Sequence, residues 1–187
     1  MKTKAVNQIV IVGGGTSGWM SAAYLSQELG TYLPDGVKIT LIEASDIPTV
    51  GVGEGTFPSL RTTLAKIGID EADFIREADA TFKQGLKFVN WHHNPDGKDH
   101  FYYQLFEPPR KVQNQIDIAP YWLLKDGKDT SDFADDVSVQ QDICENRQAP
   151  KTLRDQSFFG PMNYAYHLDA GKFAAFAFVP IIMNISV

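Results

Sequence analysis

Cysteine is nearly absent: Cys144 stands alone among 187 residues, and there are only four histidines. A single cysteine excludes an internal disulfide framework and fits a reducing compartment. No histidine motif accompanies it, so it reads as a bystander rather than a nucleophile. The histidines lack ligand-like spacing, and the adjacent pair His92-His93 would point to opposite faces of a strand. No metal site is expected. Positive charge is also in short supply. Seventeen Lys and Arg against twenty-three Asp and Glu leave a net charge of −6, which argues against nucleic acid or an anionic membrane as the main partner. Residues 173–187 carry no charge, but they are too few for a membrane span of about 20 residues and Pro180 interrupts them. They read as a buried strand or an abnormal terminus. Lys2 and Lys4 precede a strand without a leader's cleavage pattern, so a cytoplasmic protein is expected. No internal repeat or low-complexity tract is present. The length suits one sizeable core and one domain or slightly more.

What the chain does have is an ordered glycine cluster. Gln8-Ile9-Val10-Ile11-Val12 has the β-branched density of a buried parallel strand. Gly13-Gly14-Gly15-Thr16-Ser17-Gly18 then fits G-x-G-x-x-G with Gly13, Gly15 and Gly18 in register. In that pattern the first glycine makes the turn, the second admits a diphosphate to the backbone and the third lets helix and strand pack closely. A helix from Thr16 to about Gly30 would put Trp19, Met20, Ala22, Ala23 and Leu25 near one face. Its first-turn N–H groups, Thr16 and Ser17 among them, would face an anion. Val37-Lys38-Ile39-Thr40-Leu41-Ile42 reads as a second strand ending at Glu43, the acidic group placed to accept hydrogen bonds from an adenosine ribose. The same carboxylate would repel a 2′-phosphate and so disfavours NADP. Strand, glycines, helix, strand and acid in this order predict an α/β dinucleotide site.

Further along, residues 49–56 place Gly51, Gly53 and Gly55 at alternate positions, which permits close approach of a ligand to the backbone. Pro58 opens a helix with Leu60, Leu64 and Ile67 on one face. Asp70 caps a second, with Asp73 three residues on, through about Ala78. Residues 81–91 alternate as one strand, residues 94–98 make a turn, and residues 100–106 form an aromatic-rich strand that pairs antiparallel with the first. Residues 107–153 read as loop-rich, with the acidic run 132–136 a solvated face. Asp169 is placed to cap a closing helix-compatible segment.

Four stretches coincide in order: Ile11-Val12-Gly13-Gly14-Gly15-Thr16-Ser17-Gly18-Trp19, then Val50-Gly51-Val52-Gly53-Glu54-Gly55-Thr56, then Phe82-Lys83-Gln84-Gly85-Leu86-Lys87-Phe88-Val89-Asn90-Trp91, and Tyr164-Ala165-Tyr166-His167-Leu168-Asp169. Together they resemble the flavin-dependent tryptophan halogenase family over roughly residues 6–176. The resemblance implies a Rossmann-like FAD-binding domain of the flavin-monooxygenase type, with part of an inserted β-rich substrate region. It divides the chain into residues 1–80 (FAD-binding), 81–170 (substrate region) and 171–187 (an atypical apolar tail). It implies reduced FAD from a separate flavin reductase, with chloride or bromide oxidised to hypohalous acid that attacks a small electron-rich aromatic substrate such as an indole. Lys83 aligns with the family's active lysine, Lys87 being structural. Gly51 and Gly53 align with the segment along the flavin, and Trp19 is read as a flavin neighbour or a packing neighbour, with packing preferred. Phe101 and Tyr103 align with residues that frame the substrate.

The sequence departs from the family in two places. The family's F-Y-H-x-F is Phe101-Tyr102-Tyr103-Gln104-Leu105 here, which puts free tryptophan in doubt against another indole, a phenol or a pyrrole. Trp19, Trp91 and Trp122 cannot supply the family's W-x-W-x-I-P signature. The carboxylate that works with the lysine belongs beyond His167-Leu168-Asp169. The chain therefore reads as a truncated N-terminal portion, with inactivity on its own an expectation. Its uncovered sheet edges would invite aggregation or association, a homodimer included. A nucleotide-binding fragment without catalysis and an FAD-dependent aromatic hydroxylase are the alternatives.

Overall fold

The computed structural model describes residues 5–47, 53–91, 97, 100–112, 116–127 and 133–178. In chain order the elements are β1 (Gln8–Val12), α1 (Thr16–Leu29), β2 (Lys38–Ile42), β3 (Gly53–Gly55), α2 (Ser59–Lys66), α3 (Glu71–Glu77), β4 (Thr81–Lys83), β5 (Gly85–Val89), β6 (Phe101–Leu105), β7 (Lys111–Val112), β8 (Ile116–Asp117), α4 (Ala119–Leu123), α5 (Phe133–Val137), α6 (Gln140–Glu145), β9 (Ala165–Asp169) and α7 (Ala170–Phe178). The architecture is mixed α/β. It divides into two compact units, one from Met1–Thr81 with His167–Val187 and one from Phe82–Tyr166.

In the first unit β1 and β2 pair in parallel from Gln8↔Lys38 to Val12↔Ile42, with α1 as the crossover. The helix buries Trp19, Ala22 and Ala23, one turn apart, and ends at Gly30 in the left-handed conformation. Ile39 and Leu41 of β2 are fully enclosed. The reading of β1 as a buried strand is corrected: none of its residues is buried, and Val12 is 81% exposed. A parallel strand is buried only with neighbours on both edges and cover on both faces. Among the described residues β1 has β2 alone.

Helices α2 and α3 follow the predicted pattern. Leu60 and Leu64 of α2 and the succeeding Ile67 are buried. The Asp70 carboxylate accepts from the N–H groups of Ala72 (2.8 Å) and Asp73 (3.2 Å), capping α3. Strand β3 pairs antiparallel with the end of β9, Gly53↔Asp169 to Gly55↔His167.

The charge-free segment beginning at Phe173 enters a helix, not a strand. Asp169 Oδ1 accepts the Lys172 N–H at 2.9 Å and caps α7, whose alanines favour helix. Phe173 packs edge-to-face on Phe74 of α3 (5.4 Å between ring centres), and Lys172 pairs with Asp79. The described part of the expected tail thus packs with α1 and α3 in the first unit. Residues 179–187 lie outside the described residues.

The single strand expected over residues 81–91 is two, β4 and β5. Gly85 begins β5 so close to the neighbouring strand that a Cβ there would lie 2.5 Å from the Gln104 carbonyl oxygen and 2.9 Å from Leu105 Cα. Strands β5 and β6 pair antiparallel as expected, Gly85↔Leu105 to Val89↔Phe101. The turn expected at residues 94–98 and the pair His92-His93 lie outside the described residues, Gly97 excepted. The stretch 107–153 is more ordered than a loop reading allows, containing β7, β8 and three short helices. Gln140, fully buried, ties it together: its amide oxygen accepts the Glu107 N–H (2.8 Å) and its amide nitrogen donates to the Asn163 carbonyl (2.7 Å). Asn163 in turn donates from its N–H to Glu107 Oε2 (2.7 Å) and from its side chain to the Phe106 carbonyl (2.9 Å). The acidic run is solvated on one side only: Asp135 and Asp136 are exposed while Ala134 and Val137 of the same helix are buried.

Candidate functional site

The glycine loop begins where β1 ends. Gly13 donates its N–H to the Ile42 carbonyl at 2.8 Å and turns the chain at φ +118°. A Cβ on Gly18 would lie 1.9 Å from the Gly13 carbonyl oxygen, so the helix can approach the loop this closely only without a side chain. A Cβ on Gly15 would meet nothing within 4 Å, because Gly15 faces open space. Helix α1 starts there with no side-chain cap and no acidic residue in its first turn. Its N-terminal dipole is therefore left to favour an anion from outside the helix.

The open space is a cavity of about 590 Å³ in the first unit. Residues 12–18, Glu43, Ala44, Ile47 and Glu54 line it. Six of the expected cofactor residues (Gly13, Gly15, Thr16, Ser17, Gly18 and Glu43) are brought together. Gly53 sits on β3 beside the cavity-lining Glu54 and is not itself in the lining. Gly51 lies outside the described residues. Sequence reasoning missed Glu54, although its place between Gly53 and Gly55 was a signal. It also missed Gly14, at a variable position of the motif, whose would-be Cβ falls 1.7 Å from Glu43 Oε2. Trp19, 3% exposed, packs as expected and also donates its indole N–H to the same oxygen at 3.4 Å.

The second unit holds the lysines. Lys83, on β4, is 8% exposed, and its ammonium lies 5.5 Å from the centre of the Phe106 ring, within cation–π range. Lys87, on β5, is in different surroundings. Its Nζ meets Glu145 Oε1 at 2.5 Å and lies over the rings of Phe101 (4.0 Å) and Tyr103 (5.3 Å). The Tyr103 hydroxyl donates to the same Glu145 oxygen at 2.6 Å. The bond from Lys87, then that from Tyr103, holds the Glu145 carboxyl below its usual range. Burial, then Glu145, pushes the Tyr103 phenol upward. Burial followed by the Glu145 charge also raises the Cys144 thiol, which opposes a thiolate role.

The two expected substrate residues, Phe101 and Tyr103, therefore share the face occupied by Lys87. Tyr103 also borders a cavity of about 420 Å³ walled by Tyr102, Phe106, Pro108, Pro109 and Phe133. Phe106, not singled out in the sequence, borders both this cavity and the Lys83 ammonium.

A family model described as tryptophan halogenase matches residues 8–178. The chain belongs to the flavin-dependent tryptophan halogenase family. It is 36% identical over 183 residues to the tryptophan 6-halogenase ThaL of Streptomyces albogriseolus, covering 91% of this chain and 33% of that protein. It is 36% identical over 184 residues to the tryptophan 7-halogenase RebH of Lentzea aerocolonigenes, with the same two coverages. Among solved structures it is similar to the tryptophan halogenase of Shewanella frigidimarina, with 40% identity and a TM-score of 0.87, covering 98% of this chain and 36% of that one. It is also similar to Xcc4156, a flavin-dependent halogenase from Xanthomonas campestris, with 34% identity and a TM-score of 0.77, covering 98% and 35%. The chain spans about a third of the length of the curated relatives it matches. Among the described residues no helix is long and apolar enough to cross a membrane, and no group of three or more His, Cys, Asp or Glu could hold a metal ion.

Proposed function

We propose that this chain is the nucleotide-binding, lysine-bearing part of an FAD-dependent halogenase acting on an electron-rich aromatic substrate such as an indole. The observation that carries the reading is the glycine-walled cavity in a chain of this family. An open helix N-terminus and the bare face of Gly15 suit a diphosphate, and the Glu43 carboxylate at the end of β2 suits a ribose. That donor set fits the adenosine diphosphate half of FAD on a Rossmann-like fold of the flavin-monooxygenase type. Gly51 and Gly53 are assigned to the flavin-facing segment.

When bound and reduced by a separate flavin reductase, FAD supplies with oxygen the oxidising power that turns chloride or bromide into hypohalous acid. Lys83 receives that acid. Its ammonium can hydrogen-bond and polarise the acid, or its neutral amine can exchange a proton for halogen, giving a haloamine and water. Burial against Phe106 shields the nitrogen from bulk water, which would otherwise compete for the acid. The aromatic cavity beside Tyr103 is the region assigned to the substrate. The free thiol Cys144 suits a cytoplasmic setting.

The test uses the full-length protein with reduced FAD, oxygen, halide and a panel of indoles and phenols. A halogenated product that disappears on Lys83→Ala supports the reading. Oxygenated product would identify a hydroxylase instead, and no halogenated product from any substrate would overturn the assignment. One observation favours a second reading, a nucleotide-binding polypeptide without turnover of its own: the chain spans only a third of its relatives' length. For this 187-residue chain that reading expects flavin binding and no product, with or without Lys83.

A further inference from the structure

Three residues meet at one carboxylate oxygen in the first unit, and only one of them belongs to the nucleotide motif as it is usually written. Glu43 Oε2 accepts the Trp19 indole N–H at 3.4 Å and lies where a Gly14 side chain would begin. A Cβ on Gly14 would stand 1.7 Å from that oxygen, 2.7 Å from Glu43 Cδ and 2.5 Å from Glu43 Cβ. The oxygen could swing away from such a methyl group. The Glu43 Cβ could not, because it is fixed to the backbone where β2 ends. An alanine at 14 would therefore drive the whole side chain, or the end of the strand, off the loop. The Gly14 backbone itself needs no glycine, since its φ lies outside the left-handed region. What demands glycine is the space for Glu43.

The Trp19 contact adds a donor. Its side chain is buried, and at 3.4 Å its bond is too long to fix a carboxylate unaided. A missing side chain and an aimed donor together leave the carboxylate lying across the loop that lines the cavity. Glu43 is otherwise exposed, and an exposed glutamate without such restraints samples many rotamers.

We propose that Gly14 and Trp19 are positioning residues that hold the Glu43 carboxylate over the glycine loop and so set the chain's preference for ribonucleotides over 2′-deoxyribonucleotides. The proposal rests on the adenosine-diphosphate reading of the cavity. It extends the recognition element from one acid to a three-residue device.

Calorimetry with ADP and 2′-deoxy-ADP on the full chain tests it, with circular dichroism and melting as controls of folding. The unsubstituted chain should prefer ADP by about tenfold or more, the size of one charge-assisted hydrogen bond. Glu43→Ala and Gly14→Ala should each bring that ratio close to one. Trp19→Phe, which keeps a buried aromatic ring while removing the N–H donor and the fused pyrrole part of the indole, should lower it severalfold without abolishing nucleotide binding. A merely structural role for either residue would weaken both nucleotides equally and leave the ratio alone, and that result overturns the proposal. Should Gly14→Ala prove too unstable to assay, Trp19→Phe decides. If ADP binds with no preference over its deoxy analogue, the proposal fails while the nucleotide reading survives. Failure of the folded, unsubstituted chain to bind ADP at all would overturn both.

Discussion

The cavity of the first unit and the two lysine-bearing strands, β4 and β5, are built from opposite materials. Backbone lines much of the first, with bare glycines and the start of a helix, beside the side chains of Glu43 and Glu54. The second is made of side chains, with two lysines four residues apart set among aromatic rings. A site made of backbone depends on what is missing from its residues. A site made of side chains depends on what the fold brings beside them. The two lysines make the point most directly: Lys83 is enclosed beside Phe106, while Lys87 is held by Glu145 at the protein surface.

The largest expected effect separates those lysines. In the full-length protein, Lys83→Ala should cut halogenation by roughly 10²–10⁴-fold, the range of a positioned proton-handling group, and leave flavin affinity unchanged. Lys87→Ala should leave most of the rate. Equal losses from both would erase the distinction drawn from their surroundings.

Next in size is a change that attacks the frame of the first unit. Phe173→Ala removes the ring packed on Phe74 and should cost about 3–5 kcal/mol in denaturant unfolding. A loss below about 1 kcal/mol would mean that α7 contributes little to this unit's core.

Within the glycine loop, two substitutions of the same chemistry should part company. Gly18→Ala forces a methyl group onto the Gly13 carbonyl and should destabilise by about 1–3 kcal/mol. Gly15→Ala meets nothing and should change stability by less than about 0.5 kcal/mol while weakening ADP binding. If Gly15→Ala bound ADP normally, the cavity would not be the diphosphate site.

The smallest effect concerns the surface pair. The Glu145 carboxyl is held below its ordinary range, so the folded state binds a proton there less readily than the unfolded chain. Its stabilising contribution is complete above the ordinary glutamate pKa of about 4.3 and is lost as pH falls through the lower, folded value. Melting curves of the native chain and Lys87→Ala, from about pH 7 to about pH 3, should differ by about 0.2–1 kcal/mol at neutrality and converge in acid. A gap that widened in acid would reverse the assigned sign.

How much of this was legible beforehand follows the same division. The order of β1, α1 and β2, the caps at Asp70 and Asp169 and the antiparallel pairing of β5 with β6 could be read because each depends on neighbouring residues or on a short-range period. The shape of the loop from Gly13 to Gly18 was readable for the same reason, since a turn, a bare face and a helix start occupy consecutive positions. Gly14 was passed over because its requirement comes from a carboxylate 29 positions away. Phe106 was passed over because an aromatic residue gives no sign of which lysine it will meet.

By itself, then, the sequence determined the crossover, its glycine loop and the acid at the end of the second strand, because local steric and hydrogen-bonding rules act within a few residues. Tertiary structure alone decided that β1 stands exposed, that Glu107, Gln140 and Asn163 are tied together, and that Lys83 is enclosed while Lys87 is exposed. Burial and charge pairing are properties of whatever distant chain comes alongside, and no local pattern of residues specifies that neighbour in advance.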